Sequence, residues 1–287
     1  MTYKSSTLKV PGASLYYEMR GSGPVLLIIP GGPQDAGVFA DVAHHLADRY
    51  TVVAYDPRGN SRSTFDGEPQ EQDLDVHGDD AARLIEAFGA GPAYVFGTSG
   101  GAQIGLNLAA RHPGRVRALV AHEPPSMMLL DDPSPALAGM RDLHDTYRSH
   151  SVEAAMQKFF SENGLSEGPD HVDTGSHDAG SQDGPPSFEP SPEEAETFAR
   201  VSGNFEYWLA HGVIPLSLYR PDVEALRGRP VVVGIGEESI GQPIDGMGKA
   251  LAERLGTKRA AFPGDHMGFA PYPGRFAETL HLALSGA

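Results

Sequence analysis

Five short apolar runs recur along this chain: VLLII at 25–29, TVVAY at 51–55, AYVF at 93–96, ALVA at 118–121 and VVVGIG at 231–236. None alternates with polar residues, which is the pattern of strands buried on both faces of a sheet. Stretches at 38–47, 74–88, 102–111, 246–255 and 274–284 carry apolar residues at roughly helical spacing and fall between or after these runs. Such alternation predicts an α/β fold, with a mostly parallel sheet covered by helices on both faces. Two antiparallel strands near 7–10 and 15–20, turned by Pro11-Gly12, are expected to open it. The rhythm breaks between 125 and 221. The core is therefore expected in 1–124 and 222–287, with 125–221 inserted between core strands as a helical cap.

One turn in this frame bears on chemistry. Gly97-Thr98-Ser99-Gly100-Gly101 fits G-x-S-x-G where an apolar strand meets a helix. A serine on so sharp a turn is exposed beside the first N–H groups of the helix, where developing negative charge is favoured. Residues two positions away must be small for strand and helix to pass. A phosphate-binding glycine turn is the alternative, but the chain has neither G-x-G-x-x-G nor Gly-Lys-Ser/Thr here.

Three further features build on Ser99. Gly31 and Gly32 follow an early strand in IIPGGPQDAGVF, and Pro33 has no N–H. The N–H groups of Gly32 and Gly100 are thus candidates to hold a tetrahedral oxyanion. His266, in FPGDHMGF, lies on the loop after the last strand. Parallel strands end on one edge of the sheet, so that loop can return His266 to Ser99 as general base. An acid must then orient the imidazole. Glu123 directly follows an apolar strand and is braced by Pro124-Pro125, whereas Glu237 and Glu238 follow the next core strand in a plain acidic loop. Glu123 is the preferred acid and Glu238 the alternative.

The formal charge of −16 argues against nucleic acid and anionic membrane surfaces as partners. Ten of the acidic residues, and no Lys or Arg, fall within 161–196, a Gly-, Ser- and Pro-rich stretch expected to be solvated and poorly ordered. His171 and His177 within it are read as bystanders rather than metal ligands. There is no cysteine, hence no disulfide and no thiolate metal site. No 18-residue apolar run and no apolar leader region occur, so a cytoplasmic protein is expected.

Taken together, GTSGG, PGGP, DPRGNSRS and DHMGF resemble the α/β-hydrolase family in kind and order across 5–124 and 222–285. Many members have His-Gly at the oxyanion turn, where this chain has Pro30-Gly31. Members commonly place the acid three residues beyond the glycine after the penultimate core strand, a position held here by Ser239. A narrower similarity is to zearalenone lactonases, in the segments YYE, GSGP, IPGG, HEPP and DVEALRGRP. That resemblance implies a triad acid at Glu123 and a substrate-contacting tryptophan in the cap, which maps onto Trp208.

The expectation is a cofactor-independent serine hydrolase acting on a small apolar ester or lactone. Ser99 would be the nucleophile, His266 the base and then acid, and Glu123 the orienting carboxylate. Met127, Met128, Phe159, Phe160, Phe205 and Trp208 are candidates to line an apolar pocket from the cap side. Asp56, Arg58 and Asn60 are expected to stabilise the turn after their strand. The same triad also supports thioester or carbon–carbon bond hydrolysis, or a slow-turnover ligand receptor. Epoxide and haloalkane hydrolases need a carboxylate where Ser99 stands. Monomer and homodimer are both open.

Overall fold

The computed structural model describes residues 3–89, 91–163 and 191–287. Its centre is a sheet of nine strands: β1 (Lys4–Val10), β2 (Ala13–Arg20), β3 (Val25–Ile29), β4 (Thr51–Tyr55), β5 (Thr64–Phe65), β6 (Ala93–Thr98), β7 (Val116–His122), β8 (Val231–Gly236) and β9 (Arg259–Phe262). The order is β1-β2-β4-β3-β6-β7-β8-β9, with the two-residue β5 beside β2. Pairing is antiparallel at β1–β2, β2–β4 and β2–β5, and parallel from β4 through β9. All five apolar runs become parallel strands, and β3 is buried along its whole length.

Eleven α-helices accompany the sheet among the described residues. On one face lie α2 (Leu74–Ala87) and α3 (Gly100–Arg111), packed over Leu27, Val53 and Val95. On the other, α1 (Ala40–Leu46) and α11 (Pro273–Ser285) cover Leu26, Ile28, Val52 and Phe96. Helix α10 (Pro243–Leu255) sits against β8. Between β7 and β8 the chain forms α4 (Ser134–Ser149), α5 (Val152–Glu162), α6 (Pro192–Gly203), α7 (Phe205–His211), α8 (Val213–Leu218) and α9 (Val223–Leu226). Most of the acidic stretch at 161–196, with His171 and His177, lies outside the described residues. Among the described residues no helix is long and apolar enough to cross a membrane.

Two fully buried histidines make the fold sensitive to acid. His77 on α2 has neither ring nitrogen hydrogen-bonded, and burial together with the charge of Arg58 holds its pKa down, to about 3. His122 at the end of β7 packs among Phe96, Phe262 and Phe276, and burial holds it at about 4 against the opposing pull of Glu123. Both groups bind a proton more readily in the unfolded chain, whose reference pKa is 6.5. Their contribution is therefore complete above about pH 6.5 and is lost as pH falls towards the folded values. At pH 5 that amounts to about 2 kcal/mol for each histidine. Urea midpoints measured from pH 7.5 to 5 should fall accordingly, and His77→Leu should remove about half of the slope. A midpoint flat over that range would contradict the burial of these neutral imidazoles.

Candidate active site

Among the described residues, three other than glycine have positive φ: Ser61 at 47°, Ser99 at 52° and Glu123 at 45°. Such a conformation costs energy, persists only where its surroundings enforce it, and clusters at functional positions. Ser99 is the hinge between β6 and α3, and its N–H is held by the His122 carbonyl at 2.9 Å. Gly97 and Gly101 must lack side chains here. A Cβ on Gly97 would stand 2.3 Å from the Gly101 carbonyl oxygen, and one on Gly101 would stand 2.1 Å from that of Ile29. The spacing of G-x-S-x-G is thus a packing requirement of this elbow.

Glu123 directly follows β7 and is fully buried. Its N–H donates to the Gly234 carbonyl at 3.0 Å, and its Oε1 accepts from the Gly236 N–H at 2.8 Å. Its other oxygen, Oε2, lies 2.6 Å from His266 Nδ1. Burial alone would raise the carboxyl pKa. The hydrogen bond and charge of His266, then His122 and the Ser239 hydroxyl, outweigh it and hold the group at about 2. Because an ionised carboxylate only accepts, Nδ1 carries the proton of the neutral imidazole, and Nε2 is left as the free base. Glu238 is exposed and takes no part, and Ser239 is buried beside Glu123.

The turn after β3 completes the polar end of the site. Gly32 has φ 48°, and its nitrogen lies 3.2 Å from where a side chain on Gly100 would begin. The Gly32 nitrogen thus lies close beside Gly100. Gly100 opens α3, so its N–H has no acceptor within its own helix. Such a pair, at a helix N-terminus, can receive an oxygen on which negative charge develops.

Ser99, Gly32, Gly100 and His266 all open onto one cavity of about 400 Å³. Of the residues named from the sequence as apolar lining, Met127, Phe159 and Trp208 face it. Met128, Phe160 and Phe205 do not. Phe160 instead packs between Phe159 and Phe205, with ring centroids 5.9 and 6.3 Å apart. Successive helical residues point about 100° apart, so Phe160 is turned away from the direction in which Phe159 reaches the cavity. Met140, Leu216 and Met247 were not singled out in the sequence, yet line the same space. Gln103, one turn beyond Ser99, was also missed. Its amide donates to the carbonyls of Pro125 at 3.1 Å and Leu216 at 2.9 Å, tying core to cap. The DPRGNSRS turn divides its work: Arg58 forms a buried pair with Asp80, Asp56 accepts from the Ala36 N–H and from Arg62, and Asn60 donates to the carbonyls of Gly32 and Gln34.

A family model for the alpha/beta hydrolase fold matches residues 24–162. An uncharacterized hydrolase of Bacillus subtilis, YraK, is 34% identical over 99% of this chain and 97% of its own length. A zearalenone hydrolase of Bionectria ochroleuca is 28% identical over 95% of each chain. Among solved structures, the enol-lactonase of Burkholderia xenovorans LB400 superposes with a TM-score of 0.71 at 15% identity, covering 98% of this chain and 100% of that one, which is a likeness of fold. By sequence along its whole length, and by the order of its sheet, the chain belongs to the α/β-hydrolase family.

Proposed function

We propose that the chain is a serine hydrolase that cleaves a carboxylic ester or lactone through an acyl-enzyme on Ser99. The observation that carries this reading is the buried Glu123–His266 pair, which leaves His266 Nε2 as a base on the cavity that Ser99 also lines. In the reaction Nε2 takes the Ser99 proton as Oγ attacks the carbonyl. The Gly32 and Gly100 N–H groups receive the oxyanion, and the proton then passes to the departing alkoxide. Glu123 stabilises the imidazolium that forms between these steps. Water, activated by the same imidazole, releases the acid. When the substrate is a lactone, the alkoxide stays attached through the acyl chain until that last step, and one hydroxy acid leaves.

Support for a lactone comes from the relative named as a zearalenone hydrolase, which aligns over nearly the whole chain. The lining agrees: Met127, Met140, Phe159, Trp208 and Leu216 offer apolar surface suited to a ring with few polar groups. A panel of medium and large lactones and matched open-chain aryl esters tests the reading by release of hydroxy acid or alcohol. Multiple turnover is expected on both, with kcat/KM at least about tenfold higher for the large lactones, an amount that apolar burial in a pocket can supply. A single burst without steady turnover on any member would overturn it in favour of a ligand receptor.

A further inference from the structure

The oxyanion turn is gripped from outside the core. Residues Arg200, Asn204 and Trp208 are spaced by four along α6 and α7. The Asn204 backbone joins the two helices in helical conformation, its N–H bonded to the Val201 carbonyl and its carbonyl accepting from Trp208, each at 3.0 Å. Residues spaced in this way share one helix face. Along that face Arg200 Nε donates to Asp35 Oδ2 at 2.7 Å, and Asn204 Nδ2 donates to the Pro33 carbonyl at 2.8 Å. Trp208 Nε1 lies 3.4 Å from where a side chain on Gly32 would begin. One cap face thus follows the turn from 35 to 32.

From the opposite side, Asn60 Nδ2 donates to the carbonyls of Gly32 at 2.9 Å and Gln34 at 3.0 Å. The carbonyls of Gly32, Pro33 and Gln34 are therefore all held by asparagine amides. The Gly31 carbonyl accepts from the Gln34 N–H at 2.9 Å. A trans peptide points its N–H opposite to its carbonyl, so fixing the Gly31 carbonyl aims the Gly32 N–H. Asn204 also holds Ser61, the third residue with positive φ, through both the Ser61 N–H at 2.7 Å and the Ser61 Oγ at 2.8 Å. The residue next to Asn60 is locked by the same cap side chain that holds Pro33.

We infer that Asn204 is a positioning residue for the oxyanion hole: by holding the Pro33 carbonyl, the docked cap orients the Pro33–Gln34 peptide, whose N–H holds the Gly31 carbonyl and so aims the Gly32 N–H. The inference rests on the serine hydrolase reading and extends it, because it makes the cap part of transition-state binding as well as of substrate enclosure. Asn204→Ala and Asn204→Asp remove the donation to Pro33, and Arg200→Gln weakens the same contact face one turn away.

The test measures kcat and KM on an ester that the wild type turns over, per site titrated by a fluorophosphonate. It adds the inhibition constant of a trifluoromethyl ketone, whose hemiketal oxyanion occupies the hole. For both Asn204 variants kcat per site should fall about 10- to 100-fold with KM within about threefold. The ketone should weaken by the same factor as kcat/KM. Arg200→Gln should show the same pattern at about 3- to 10-fold, which keeps the inference testable if the Asn204 variants fold poorly. A rise in KM alone, or fewer titratable sites with unchanged kcat per site, would overturn the inference and leave Asn204 a structural residue. A wild type that neither turns over esters nor takes the phosphonate would overturn the hydrolase reading, and the inference with it.

Discussion

Replacing His266 with alanine is expected to lower kcat by about a millionfold, and adding Ser99→Ala to that variant should lower it little further. Members of a nucleophile–base pair act as one unit, so removing either costs nearly as much as removing both. In the mechanism proposed for this chain, each part of that unit is held in place. Ser99 is fixed by its elbow at φ 52°, and His266 by the 2.6 Å contact with Glu123. Among the described residues that line the cavity, His266 has no second histidine to replace it. Steady-state rates of both single variants and the double variant, on one activated ester, check this. Independent, multiplicative losses would show that Ser99 and His266 do not work on the same proton.

The second large effect concerns the acid. Glu123→Gln should slow turnover by about ten-thousandfold, because an amide can present its NH2 to Nδ1 and so favour the wrong imidazole tautomer. The loss should be greater than any loss of fold, since the side chain keeps its size and can still accept from the Gly236 N–H. Glu238→Gln, on the exposed side of the next loop, should leave turnover within about twofold, as is usual for surface substitutions distant from a site. Because the Glu123 carboxyl is held at about 2, turnover should not lose this group's charge until well below pH 4. The reverse ranking of the two glutamine variants would move the acid to the loop after β8.

How much of this could be read from the chain depends on what each part is packed against. The central strands are plain because burial on both faces leaves no polar alternation, and the sheet holds them as parallel neighbours in the order β4-β3-β6-β7-β8. The elbow was plain because its glycines answer to backbone contacts of the motif's own strands. Strand β5 was not, since a pair of residues beside β2 carries no period. The cap is expected from the sequence as helical, but its separate helices are not legible there. Helix α6 buries none of its residues and α4 only Leu143, so the apolar spacing that marks a helix is faint in both. Cap residues were therefore chosen by type. Met127, Phe159 and Trp208 reach the cavity, whereas Met128, Phe160 and Phe205 lie off it.

Asn60 and Asn204 show another limit of the sequence. Asn60 was read as a stabiliser of its own turn, while its amide spans to the carbonyls of a loop more than twenty residues earlier. Asn204 gave no signal, because an asparagine between two helical stretches is ordinary until the turn it touches is known. Its three hydrogen bonds to Pro33 and Ser61 bridge parts of the chain that only the folded cap brings together.

The central claim is that Ser99 is a nucleophile activated by His266. Intact-mass analysis after exposure to a fluorophosphonate tests it most directly. The account predicts one adduct per chain on the wild type, absent from Ser99→Ala and strongly slowed in Glu123→Gln, with both variants folded. A folded wild type that takes no adduct, or an adduct that persists in Ser99→Ala, would contradict it.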